Sequence, residues 1–189
     1  MRRPTHWLLT AIILFISGQS ACSKTDDAPS LNRNSYWTVG NNTYSRDSSS
    51  QMTYPDIYRD VPDFFVYVEV HNKAKDQGSD QFPGSTIWFV FPNHMGPGRY
   101  KVSGLSYSGT VPPGTKWMYI ICNIGLDSDK GGLTYITVDD AGTADVKIDK
   151  EGQYHISTVN DVMLRKDVDL GEEDPDAADS YLLKVDNAY

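Results

Sequence analysis

From residue 35 onward, apolar and polar residues alternate nearly one for one, the period of a strand with one buried face. "SYWTVGNNTYS" sets Gly40-Asn41-Asn42 between two short apolar runs, the signature of a hairpin. "DFFVYVEVH" separates Phe64, Val66, Val68 and Val70 from Phe65, Tyr67, Glu69 and His71. The valines should face a core, leaving Tyr67, Glu69 and His71 outward. "STIWFVF" is apolar on both faces and predicts a central or covered strand. "GRYKVSG" follows it across the Pro- and Gly-bounded turn "PNHMGP". "TKWMYIICN", "LTYITVD", "ADVKIDK", "QYHISTV", "DVMLRK" and "SYLLKVD" complete the series, divided by Gly-, Asp- or Asn-rich breaks. The count is about ten short strands, with no amphipathic helix. It predicts an all-β fold, an antiparallel β-sandwich or a barrel-like closure of one.

Two connections exceed what a hairpin needs, residues 45–62 and 72–84. Long ordered loops often carry function. The first holds Tyr54 and Tyr58 beside Arg46 and Arg59, which makes it a candidate contact loop. Aromatic residues favour strands and fill sandwich cores, so most of the rings belong inside. Phe65 and Tyr67, with Tyr54 and Tyr58, are the candidates for exposed ligand or partner contacts.

The pattern changes before residue 35. Residues 23–34 hold Ser, Asp, Asn, Lys and Pro with little to bury, and read as a flexible acidic tether reaching about 20 Å. Ahead of them an apolar run from Trp7 to Ile16 stands behind Arg2 and Arg3. A spanning helix needs about 20 apolar residues. This run has instead the length of a signal-peptide core behind a basic start. Gly18, Gln19, Ser20 and Ala21 then lead to Cys22.

That junction resembles the lipobox of bacterial lipoproteins. Gln19 stands where the motif usually has an aliphatic residue, a looseness found among lipoproteins of the Bacteroidota. The resemblance implies cleavage before Cys22 and lipid on its thiol, and two or more acyl chains anchor a protein stably where one does not. Ser23 to Asp27 resembles the acidic signal that sends many such lipoproteins to the cell surface. The expected location is the outer membrane, facing outward, with the periplasmic face as the alternative. The organisation that follows is a signal peptide at 1–21, acylated Cys22 with its tether at 22–34, and one β-sandwich domain at 35–189. Trp37-Thr38-Val39 with Asn42 and Tyr44, then Gly98, Tyr100 and Val102, then the late strands, resemble small outer-membrane lipoproteins of the Bacteroidota. These motifs describe a sandwich and carry over no functional residue.

Charge narrows the partners. Removing residues 1–21 takes away Arg2 and Arg3 and no acid, which moves the formal charge from −8 to −10. Nucleic-acid binding needs a basic stripe, and the chain has none. One cysteine, Cys122, remains beyond Cys22, so an internal disulfide is excluded once Cys22 is acylated. In "KWMYIICNI" it shares a strand face with Met118 and Ile120 and reads as a small buried hydrophobe.

Candidates for chemistry are few. "GLSYSG" lacks the second glycine and the following helix of a nucleophile elbow. His71, His94 and His155 stand more than 20 residues apart, which is not the spacing of a zinc site. Glu69 sits mid-strand, an apt place for a rigid acid, but a glycosidase needs two carboxyls about 5–10 Å apart. "DSDKGG" opens like an EF-hand loop and fails at its twelfth position, Val138. Calcium is the most reasonable ion, and no other cofactor is expected. Between Asp167 and Asp179 seven acids crowd 13 residues, and Asp167, Asp169, Glu172, Glu173, Asp174 and Asp176 could offer it carboxylate oxygens.

The expected role is therefore a non-catalytic, lipid-anchored binding or accessory protein that presents its sandwich to a glycan or an envelope protein. A structural subunit of an outer-membrane complex and a carboxylate-dependent hydrolase are the alternatives. A protein partner predicts an apolar patch or an unpaired edge strand. A glycan predicts exposed rings in a groove. A hydrolase predicts converging carboxylates.

Overall fold

The computed structural model describes residues 35–55, 64–72, 82–104, 114–126, 132–167 and 177–189, with the side chains of Tyr54, Pro55 and Phe64 excepted. Among these residues twelve strands form, with one 3₁₀ turn at Asn93–Met95. They are β1 Tyr36–Val39, β2 Asn42–Ser45, β3 Ser48–Pro55, β4 Phe64–Asn72, β5 Ser85–Pro92 and β6 Gly98–Val102. β7 Trp117–Ile124, β8 Leu133–Thr137, β9 Gly142–Ile148, β10 Tyr154–Thr158, β11 Val162–Lys166 and β12 Ser180–Asp186 complete the set. All lie in the unit Asn32–Tyr189.

Antiparallel pairing runs β3-β4-β5-β7-β8-β11-β12-β1-β2. The two ends of this path are consecutive in the chain, since only Arg46 and Asp47 separate β2 from β3. The Asp47 amide donates to the His71 carbonyl at 2.8 Å, and the Asn72 side-chain amide to the Ser45 carbonyl at 2.8 Å. These bonds draw the two ends of a curled sheet toward each other without a ladder between β2 and β3, giving a half-barrel. β6, β9 and β10 branch from β7, where β6 pairs with Trp117 and Met118 ahead of the stretch that pairs with β8, and pack over the core.

One pairing departs from the expected antiparallel pattern. β6 runs parallel to β7, with Lys101 beside Trp117 and Val102 beside Met118. The connection 103–116 is long enough to return the chain to the same end of the sheet, which a tight hairpin cannot do.

Strand edges are closed or short. Gln51 of β3 exchanges two hydrogen bonds with the Tyr154 backbone, at 3.0 Å to its carbonyl and 2.9 Å from its amide. A side-chain amide thus stands in for a ladder partner between β3 and β10. Ile156 of β10 also pairs with Ala188. β2, the other edge, is four residues long, and short edges limit pairing with other chains.

The alternation places the core as expected. Val66, Val68 and Val70 are buried, as are Ile87, Phe89 and Phe91 of the central β5. Phe91 packs edge-on against Tyr100 of β6 and Tyr154 of β10, at 5.4 and 5.2 Å, which joins the two parts of the sheet. Buried rings keep their polar tips bonded: Trp37 Nε1 donates to Ser85 Oγ at 3.0 Å, Tyr44 Oη to the Phe82 carbonyl at 2.9 Å, and Tyr100 Oη to the Gly96 carbonyl at 2.6 Å.

The β1–β2 hairpin forms with a two-residue turn, Gly40-Asn41. Gly40 has φ +57°, and an added Cβ would lie 2.7 Å from the Tyr181 ring. Conformation and space therefore both demand glycine there. Gly40→Ala is expected to lower stability by about 1–3 kcal/mol, read from the urea midpoint. An unchanged midpoint would mean that the turn and Tyr181 relax together.

Candidate ligand-binding face

The outward positions of β3, β4, β5 and β7 form rows across four strands. One row runs Ser48, His71, Thr86, Asn123, and the next Ser50, Glu69, Trp88, Ile121. A third runs Met52, Tyr67, Val90, Tyr119, and Phe65 stands opposite Tyr54 beyond it. The period of two that buries the valines of β4 thus also gathers the polar and aromatic residues on the other face.

Glu69 organises the polar part. Its Oε1 lies 3.1 Å from His71 Nε2, and its Oε2 accepts from Ser50 Oγ at 3.3 Å. The other ring nitrogen of His71 lies 2.9 Å from Thr86 Oγ1. The Glu69 and His71 side chains are 20% and 35% exposed, so the carboxylate is held in place yet reachable. Glu69 therefore does have partners. The spacing Glu-Val-His already put two of these groups on one face, while Ser50 and Thr86 come from neighbouring strands.

The aromatic part grades from open to covered. Met52 is 41% exposed, and Phe65, Tyr67, Trp88 and Tyr119 are half-buried. Trp117 is buried, stacking on Tyr119 at 6.4 Å and 16° and meeting Phe65 edge-on at 5.8 Å. Burial first, then Tyr67 beside it, hold the Tyr119 phenol above its ordinary range. At these outward positions the charged or chargeable groups other than phenols are Glu69 and His71, with no lysine or arginine.

The residues singled out in the sequence fall in different places. Phe65 and Tyr67 belong to this face. The first long connection is not all loop, because Ser48–Pro55 is β3, and Tyr54 stands in it opposite Phe65. Its serine-rich start carries no apolar alternation, so the strand was illegible. Tyr58 lies outside the described residues, as do Asp169, Glu172, Glu173, Asp174 and Asp176. Asp167 is described, and its amide donates to the Thr134 carbonyl at 2.8 Å. Among the described residues no three or more His, Cys, Asp or Glu side chains gather as metal ligands. Cys122 is fully buried, and burial pushes its thiol up to about 12, with the Ser85 hydroxyl pulling the other way.

The three histidines do not meet. His94 lies exposed in the 3₁₀ turn. His155, on β10, is buried with Asp149: Nε2 lies 3.0 Å from Asp149 Oδ2 and Nδ1 lies 3.1 Å from Asn187 Oδ1. The Tyr189 ring stacks on His155 at 4.5 Å, and the Arg46 guanidinium lies 3.6 Å from the centre of the Tyr189 ring. Arg46 also donates to the Tyr189 carbonyl at 3.1 Å and to its hydroxyl at 2.6 Å. This cluster ties the chain after β12 to β10 and to the β2–β3 turn.

No family model, curated protein or solved structure matches the chain.

Proposed function

We propose that this is a lipid-anchored outer-membrane protein whose β-sandwich binds a glycan on the outward face of β3, β4, β5 and β7. The observation that carries the reading is the neighbourhood of Trp88, Tyr67 and Met52 with the fixed Glu69 carboxylate. Ring faces pack against the C–H faces of pyranoses, and a carboxylate accepts from their hydroxyls. A catalytic reading would want a second carboxylate on this face; the outward positions of the four strands carry Glu69 and no other. Partner binding by strand addition has little to use, since β3 and β10 are already tied at their edges.

The lipid anchor rests on Cys22 and its resemblance to a lipobox. Cells fed radiolabelled palmitate should label the protein, and Cys22→Ser should not label. Protease added to intact cells should remove the protein, as it does after lysis; protection in intact cells would place it in the periplasm and overturn the outward-facing placement. For the binding itself, the full chain is held in a polyoxyethylene detergent, which has no sugar headgroup. In native gels containing dextran, laminarin or mannan it should be retarded by at least one of them. Free migration in all of them would count against the glycan reading.

A further inference from the structure

We infer, resting on the glycan reading above, that this face selects neutral, hydroxyl-rich glycans and rejects uronic and sulfated ones. The argument is one of charge. A carboxylate or sulfate is recognised by cationic donors in charge-assisted hydrogen bonds, most often from arginine. The outward positions of β3, β4, β5 and β7 offer none. The next strands outward are β8, with Thr134 and Ile136 and then Arg165 opposite Ile136 on β11, and β6, where Lys101 stands beside Trp117 with its ammonium already paired to Asp140. The polar groups left open to a ligand are the hydroxyls of Ser48 and Ser50, His71 and Glu69, while Thr86 and the Asn123 side-chain oxygen are buried.

Glu69 then sets the sign. Its two oxygens are anchored by Ser50 and His71, so the carboxylate cannot swing away from an approaching anion. Both ring nitrogens of His71 are already engaged, one against Glu69 and the other against Thr86. Hydroxyl-rich sugars present donors to Glu69 and apolar ring faces to Trp88 and Tyr67. An anionic sugar meets a fixed negative charge on a chain whose formal charge is already −8.

The test uses the full chain in the same sugar-free detergent, titrated with neutral oligomers of dextran, laminarin and mannan. Oligogalacturonate and chondroitin sulfate oligomers of matched length serve as acidic probes. A neutral oligomer should bind with an affinity that changes little between 50 and 500 mM salt, a range of about 14 to 4 Å in screening length, and the acidic probes should bind at least tenfold more weakly. Glu69→Gln should weaken the neutral ligand about tenfold, the scale of one lost hydrogen bond to a charged group. The same change should narrow the gap to the acidic probes. Trp88→Ala should weaken neutral binding while leaving the urea midpoint close to wild type. Acidic probes binding as tightly as neutral ones would overturn the selectivity and leave glycan binding standing. Binding of none of the probes would overturn the glycan reading itself. Neutral binding indifferent to both Glu69→Gln and Trp88→Ala would move the site elsewhere and overturn this assignment.

Discussion

Replacing Trp37 with alanine is expected to remove about 3–5 kcal/mol of folding stability, a large share of the roughly 5–15 kcal/mol that holds a domain of this size. Trp37 is fully buried and stacks on Tyr44 at 5.8 Å. Its strand, β1, pairs with β12 on one side and β2 on the other, so it sits where the late strands join the first hairpin. Truncation leaves a cavity in that joint. It also removes the indole donor from Ser85 Oγ, which keeps its own bond to the Asn123 carbonyl at 2.7 Å. Trp37→Phe separates these effects by filling most of the cavity without restoring the hydrogen bond. Urea denaturation should give a lower midpoint for both, with alanine much the worse, and similar slopes. A loss below about 1 kcal/mol for alanine would mean that the neighbours collapse into the space.

The same residue shows what could be read in advance. "SYWTVGNNTYS" predicts a hairpin about Gly40-Asn41-Asn42, and the hairpin forms, with Trp37, Val39 and Tyr44 buried. β4 was legible because valines two apart need one buried face, and β5 because its run is apolar on both faces. β3 was not, because Ser48 to Gln51 are polar throughout and strand formation there depends on β4 as a template. The parallel placement of β6 on β7 was also hidden, since local alternation says nothing about strand direction.

The proposed binding face was half-legible. Phe65, Tyr67, Glu69 and His71 follow from the period of β4 alone. Trp88 and Tyr119 join them only through the registers of β5 and β7, which no local pattern encodes. Contacts such as Gln51 with Tyr154 and Arg46 with Tyr189 span 103 and 143 residues, and they appear only once the sheet has curled.

The pair His155–Asp149 should give the fold its clearest acid dependence. The two residues are six apart, one on β10 and one just beyond β9, so the hairpin brings them together. Their side chains are 4% and 8% exposed. The hydrogen bond from His155 is the main reason the Asp149 carboxyl lies below its ordinary range, with the Gln153 amide adding to it at 2.8 Å. A carboxyl held low in the folded state stabilises that state wherever it is ionised in both forms. As pH falls below about 3.9, the ordinary aspartate value, the unfolded chain takes up a proton that the folded chain still refuses. The contribution of Asp149 then declines, and it is gone once pH has passed below the lowered folded value. Thermal melts from pH 7 down to pH 2 should therefore show a falling Tm, steepest below the ordinary aspartate value. Asp149→Asn should melt lower than wild type at pH 7 and lose part of that acid slope. His155→Gln should also melt lower at pH 7, because it leaves a buried carboxylate without its main donor and releases the ring of Tyr189. Equal acid slopes in wild type and Asp149→Asn would mean that other carboxylates govern acid unfolding and that this cluster acts through packing alone.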